Sequence, residues 1–263
     1  MYIMRDYFKA DASGFLPCVD YWKMNWIILI DNSGSMGPHA LEPNSLAIDV
    51  KNAIDTMLEE IKMISEEQEV LSYIRIIAFN DLPSYAVGNR SHGEYITDAV
   101  NSWRNFELMP DGGTNLADAI YEAIESIRTD RPDYLGGGFW LSPVLMLITD
   151  GMVNLADGAG NTVDHLKSLR NGQTIRVSVG LRHEYSIELD PFASLGRIEH
   201  LDGRIDSDRP FSFFAESCDD LLNICKVLSR TLVSAVLEDD NVNRTLLDPT
   251  ENWVEEDDDW WWE

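Results

Sequence analysis

Asp31, Ser33 and Ser35 stand at alternate positions of the pentapeptide Asp31-Asn32-Ser33-Gly34-Ser35, one carboxylate followed by two hydroxyls. All three are hard oxygen donors, and Gly34 lets the chain fold closely around whatever they surround. Such donors suit Mg²⁺, which wants near-octahedral oxygen coordination and keeps several waters; Mn²⁺ and Ca²⁺ accept the same chemistry. Two further segments offer matching ligands. Thr114 follows Asp111-Gly112-Gly113, whose glycines permit close backbone approach, and Asp150 stands in Thr149-Asp150-Gly151.

The elements around these residues must bring them together. Trp26–Ile30 is a continuous apolar run that ends at Asp31, as in a strand covered on both faces. From Ser45 to about Ser65, Val50, Ile54, Met57, Leu58, Ile61 and Ile64 recur at helical spacing. Residues 74–79 read as a second strand, followed by an edge strand near Tyr85 and a short helix near Ala99–Trp103. Leu116, Ile120, Ala123, Ile124 and Ile127 mark a second amphipathic helix over residues 115–127. Val144–Ile148 and Ile175–Val179 are further apolar strands, residues 203–214 hold a last edge strand, and Asp219 caps a long final helix to Leu237. Strands alternating with helices imply right-handed crossovers. The expected fold is α/β, a doubly wound, mainly parallel sheet with helices on both faces. In such a sheet, sites form outside the carboxyl ends of the strands, where Asp31 and Asp150 fall.

With a DxSxS turn after the first strand, Gly-Gly-Thr before a helix and a strand ending in Thr-Asp-Gly, the chain resembles a von Willebrand factor A domain. The resemblance covers roughly Trp26 to Leu237, within a domain over 25–238; residues 1–24, which lack sustained period, read as an N-terminal extension, and residues 239–263 as an acidic, tryptophan-rich tail. It matches Asp31, Ser33, Ser35, Thr114 and Asp150 to the five positions of that family's metal-ion-dependent adhesion site. It implies Ser33 and Ser35 as direct Mg²⁺ ligands, Thr114 as a ligand when the site is engaged, and Asp31 and Asp150 acting largely through water. A protein partner then donates a Glu or Asp to the metal. Within the family, the segment from Asp111 to Ala117 looks most like the bacterial tellurite-resistance-associated, TerY-like domains. Those are often encoded beside a serine/threonine kinase and a PP2C-type phosphatase, a setting of stress response or phage defence.

Charge narrows the partners. The chain carries 46 Asp and Glu against 20 Lys and Arg, a net −26, which disfavours nucleic acid and anionic membrane. Eleven of those acids and one basic residue, Arg244, lie between Glu238 and Glu263, so this end supplies −10. No stretch approaches a membrane span, and Met1 to Asp6 lack a signal peptide's apolar core. Of three cysteines, Cys218 and Cys225 lie seven apart on one helix, roughly 10 Å along its axis, too far to bridge. An intracellular, cytoplasmic protein is the expectation.

Four of the eight tryptophans, Trp253, Trp260, Trp261 and Trp262, lie in the acidic end, around Asp257, Asp258 and Asp259. Exposed indoles are costly and buried ones anchor interfaces, so these seven residues read as a second docking motif. Return of the tail to its own metal site is feasible in length, though docking on another protein or a neighbouring copy avoids threading around the domain.

Catalysis finds less support. A nucleophile elbow needs glycine two residues before its serine, and Ser33 occupies that place before Ser35. His183 and His200 could be proposed as bases, but each reads more readily as a surface or satisfied polar residue. Asp31 resembles the nucleophile of phosphoryl-transfer enzymes with a DxD loop, yet residue 33 is serine, which leaves no general acid. A non-catalytic interaction module is expected. A Mg²⁺-dependent phosphate-processing enzyme and an adaptor of an AAA+ ATPase are the alternatives.

Overall fold

The apolar run at Trp26–Ile30 forms the middle of a ten-residue strand, β1 (Trp22–Asp31). Trp22, Lys23 and Met24, assigned above to an N-terminal extension, belong to it. They pair in unbroken parallel register with Val70, Leu71 and Ser72 of β2 (Val70–Phe79), so the ladder carries the strand beyond its most apolar residues. The computed structural model describes residues 22–38, 45–129, 139–140, 143–150, 175–181, 198–199, 205–206 and 212–238. The tail over 239–263 and both histidines weighed as bases lie outside them.

Along the chain follow α1 (Leu46–Glu67), then after β2 β3 (Pro83–Val87), β4 (Glu94–Tyr95), α2 (Ile96–Asn105), α3 (Leu116–Thr129), β5 (Phe139–Trp140) and β6 (Val144–Thr149). Then come β7 (Ile175–Gly180), β8 (Ile198–Glu199), β9 (Ile205–Asp206), β10 (Ser212–Phe214) and α4 (Cys218–Glu238). The main sheet runs β10-β7-β6-β1-β2-β3. It is parallel from β10 to β2, while β3 and β4 pair antiparallel with β2. A separate two-stranded ladder joins β8 and β9.

Alternation along β1 divides the core. Met24, Trp26, Ile28 and Ile30 face a layer built from α1, α2 and α4, whereas Ile27 and Leu29 face α3. The expected doubly wound sheet with helices on both faces is therefore the observed one. Burial of each such side chain stabilises the fold by about 1.5–3 kcal/mol. The ion pairs between helices, Arg104 with Asp55 and Glu59 and Arg230 with Glu60, are solvated and weigh about 1 kcal/mol or less each. Apolar burial holds the layers together, and the ion pairs fix orientation.

Two contacts show the direction of the last helix. Cys218 at the start of α4 bonds Asp49 in the first turn of α1, and Lys226 and Arg230 farther on meet Glu60, well along α1. The two helices therefore run side by side in the same direction, away from the carboxyl edge of the sheet. The start of α4 also differs from expectation. Asp220 N–H donates to Ser217 Oγ (3.1 Å) and Ser217 N–H to Asp220 Oδ2 (2.8 Å). This reciprocal capping box makes Ser217 the cap, two residues before Asp219.

On the opposite face α3 is tied to the sheet by a buried carboxylate. Glu122 Oε2 accepts from Tyr85 Oη (2.8 Å) and Arg90 Nε (2.9 Å), and Arg90 also pairs with Oε1. Burial pushes the Glu122 carboxyl upward, but the bonds from Arg90 and Tyr85 overcome it and leave its pKa below the usual range. A depressed carboxylate contributes stability above its unfolded pKa and loses it as pH falls through the folded value. Glu122→Gln is therefore expected to lower Tm by about 2–4 °C at neutral pH, with the gap from wild type closing on acidification. Calorimetry across that range checks it.

Candidate functional site

β1 delivers Asp31 to the carboxyl edge of the sheet, fully buried between the ends of its neighbours. Ile30 pairs with Ile148, so the ends of β1 and β6 are level and Asp31, Thr149 and Asp150 share one edge. Thr149 Oγ1 donates to Asp31 Oδ2 at 2.6 Å, and Ser33 N–H to Asp31 Oδ1 at 2.9 Å. Burial pushes the Asp31 carboxyl up, these two bonds oppose it, and the nearby Asp150 charge pushes it further up. Asp150 is itself fully buried.

Beyond Asp31 the chain makes a short 3-10 turn, Gly34–Met36. It brings the Ser33 and Ser35 hydroxyls within 3.0 Å of each other. Met36 is buried beneath them as the apolar anchor of the turn, and its carbonyl accepts from Ser45 Oγ just before α1. Adjacent hydroxyl oxygens at this spacing can serve as neighbouring corners of one coordination sphere.

The Gly-Gly-Thr segment closes over this turn. Gly34 N–H donates to Gly112 O (3.1 Å), and Asp111 N–H to Asn32 O (3.1 Å), which brings half-buried Thr114 to the edge occupied by Ser33 and Ser35. Gly112 adopts φ +69°, a left-handed conformation that favours glycine.

Asp81, which sequence reasoning did not single out, holds this loop from the other side. Its Oδ1 accepts from Gly113 N–H (2.9 Å), and its carbonyl accepts from Asn115 Nδ2 (3.2 Å). Asn115 N–H in turn donates to Asn80 O (2.7 Å). A carboxylate in the short turn Asn80-Asp81-Leu82 between two strands was the available signal.

All five residues matched to the metal site therefore gather at one sheet edge. Among the described residues there is no cluster of three His, Cys, Asp or Glu side chains, so the donors here are two carboxylates and three hydroxyls. That set fits a hard divalent cation: oxygen throughout, with two buried acids whose mutual charge a cation would offset. Of the other acceptors present, Asn32 Oδ1 is buried without a hydrogen-bond partner. Ser33 Oγ meets Ser35 Oγ, and the two histidines weighed as bases lie outside the described residues.

Residues 26–152 match the family model described as von Willebrand factor type A domain. No curated protein matches the chain. Among solved structures, it is similar to proximal thread matrix protein 1 from the mussel byssus, with 16% identity and TM-score 0.56 over 80% of this chain and 46% of that one. It is also similar to a von Willebrand factor type A protein from Catenulispora acidiphila, with 13% identity and TM-score 0.53 over 81% and 42% of the two chains. A third is the PilB minor pilin from Streptococcus sanguinis, with 12% identity and TM-score 0.59 over 84% and 63%. The chain thus spans less than half the length of the first two. Another structure of the mussel protein, at 17% identity and TM-score 0.53 over 81% of this chain and 46% of that one, has zinc in its metal-ion-dependent adhesion motif. These identities speak to a shared fold.

Proposed function

We propose, from the match of residues 26–152 to the von Willebrand factor type A family model, that this chain is a non-catalytic protein-interaction module working through a divalent cation, Mg²⁺ in the cell. Ser33, Ser35 and Thr114 hold the ion, and Asp31 and Asp150 orient its waters from behind. The single observation that carries the proposal is the pair of hydroxyls 3.0 Å apart, set over buried Asp31 at the open edge of the sheet. Neutral hydroxyls as direct ligands leave the ion most of its charge, so a carboxylate from outside is strongly favoured at the remaining position.

The partner is a protein that presents a Glu or Asp. The zinc-bearing motif of the mussel protein supports a divalent ion at this place in the fold. The narrower resemblance favours an adaptor in a bacterial cytoplasmic complex, with a serine/threonine kinase and a PP2C-type phosphatase as the partners to try first. A phosphate-processing enzyme is disfavoured, because no general acid accompanies Asp31 in the described turn.

Affinity capture from lysate, with Mg²⁺ or with EDTA, tests the reading. The expected result is a set of partners retained with Mg²⁺, lost with EDTA and lost with Asp31→Ala. Retention under all three conditions would sink it, and turnover of phosphate esters abolished by Asp31→Ala would favour the enzyme.

A further inference from the structure

Two side chains flanking the metal edge are out of character for it. Leu82, beside Asp81, is 70% exposed, and Met109, whose carbonyl accepts from Asn32 Nδ2, is 71% exposed. Both belong to the segments that clamp the Gly-Gly-Thr loop, so the face combines a cation position with apolar rim residues. The ligand complementary to that combination is a carboxylate with a large apolar neighbour, and this chain ends in one. Asp257-Asp258-Asp259 is followed at once by Trp260-Trp261-Trp262.

We propose that this C-terminal segment is a ligand of the metal face of its own domain, one aspartate completing the ion's coordination and the adjacent indoles meeting the exposed side chains of Leu82 and Met109. The proposal rests on the metal reading above. It follows from the acidic, indole-rich sequence of the tail, the exposed apolar rim and chain length together. α4 starts near the carboxyl edge, just after β10, and runs parallel to α1, so its 21 residues end about 30 Å away from that edge. About twenty residues separate Glu238 from the aspartates. Their root-mean-square span is about 25 Å as a flexible chain and about 65 Å when extended. A linker whose typical span matches the gap gives an effective concentration in the millimolar range. That exceeds what a second copy supplies at ordinary concentration, so the physical balance favours the same molecule. External partners must then displace the tail.

The test uses the full chain and a fluorescent peptide of residues 251–263 as probe. Wild type and D257N/D258N/D259N are each loaded with Mn²⁺, and metal binding is followed separately by electron paramagnetic resonance. The expected result is a monomeric wild type that binds the peptide at least tenfold more weakly than the triple variant, with EDTA abolishing binding to both. In the triple-variant background, Leu82→Ser weakens peptide binding several-fold and leaves Mn²⁺ binding unchanged. Equal peptide affinities with Mn²⁺ bound would overturn the tail proposal alone, as would a Mn²⁺-dependent dimer of wild type. An unchanged affinity in Leu82→Ser would remove the apolar contact. Absence of Mn²⁺ binding in both chains would overturn the metal reading first, and the proposal with it.

Discussion

Ser33→Ala combined with Ser35→Ala is expected to reduce Mg²⁺ affinity at least a hundredfold while costing the metal-free fold only about 1–3 kcal/mol. The two hydroxyls bond to each other, so that bond is lost pairwise, and the stability cost comes mainly from the Ser33 hydroxyl's bond to buried Asp31. The ion, in contrast, loses two adjacent ligands, and even loss of an outer-shell partner typically costs 10–100-fold. Titration calorimetry gives the affinity, and thermal unfolding in EDTA gives the stability. A variant that unfolds in EDTA would mean that the turn depends on its hydroxyls for structure.

Asp31→Asn separates the same two properties in the opposite way. With the folded pKa raised by burial and by Asp150, Asp31 adds stability that is full below its unfolded pKa and lost as pH rises through the folded value. The metal-free Asn variant is therefore expected to be more stable than wild type at neutral pH, with the advantage shrinking on acidification. With Mg²⁺ present the order reverses, because only wild type gains from the ion. Such a crossing of Tm values is what an acid buried for a cation produces, and an acid buried for structure does not.

How far all this was legible in residues alone depended on the range of the interactions. Trp26–Ile30 and Val144–Ile148 declared themselves because a strand covered on both faces has no polar positions, and Asp31 and Asp150 at their ends followed from the topology. Lys23, Asn25 and Ser72 blurred the true length of β1 and β2, since their polarity reads as solvent although they are buried in the ladder. The cap of α4 was misplaced by two residues because Ser217, Asp219 and Asp220 all suit a first turn, and only the reciprocal bonds distinguish them. Asp81 escaped notice for a different reason. Its role lies in contacts with residues 32 and more positions away, and an acid in a turn between strands looks like any other turn residue.

Gly112→Ala is expected to be the most damaging substitution at the site outside the ligands, by about 2–5 kcal/mol, and Asp81 is the reason. A left-handed backbone alone costs an alanine about 1–2 kcal/mol. A Cβ there would lie 2.5 Å from Asp81 Oδ2 and 3.0 Å from its Cγ, an overlap of the kind that costs about 1–3 kcal/mol. The carboxylate cannot simply swing aside, because Oδ1 accepts from Gly113 N–H. Displacing Gly112 would also strain the bond from Gly34 N–H and move Thr114 off the serines, so Mg²⁺ affinity should fall with stability. Asp81→Ala removes the obstacle and the anchor together. The double variant should then be less destabilised than the two singles summed, by at least about 1 kcal/mol, because the overlap vanishes while the backbone cost stays. Denaturant unfolding of the four proteins gives that coupling. Strict additivity would mean that the loop relaxes away from Asp81 without cost, and Asp81 would then have no part in holding Thr114 over the ion.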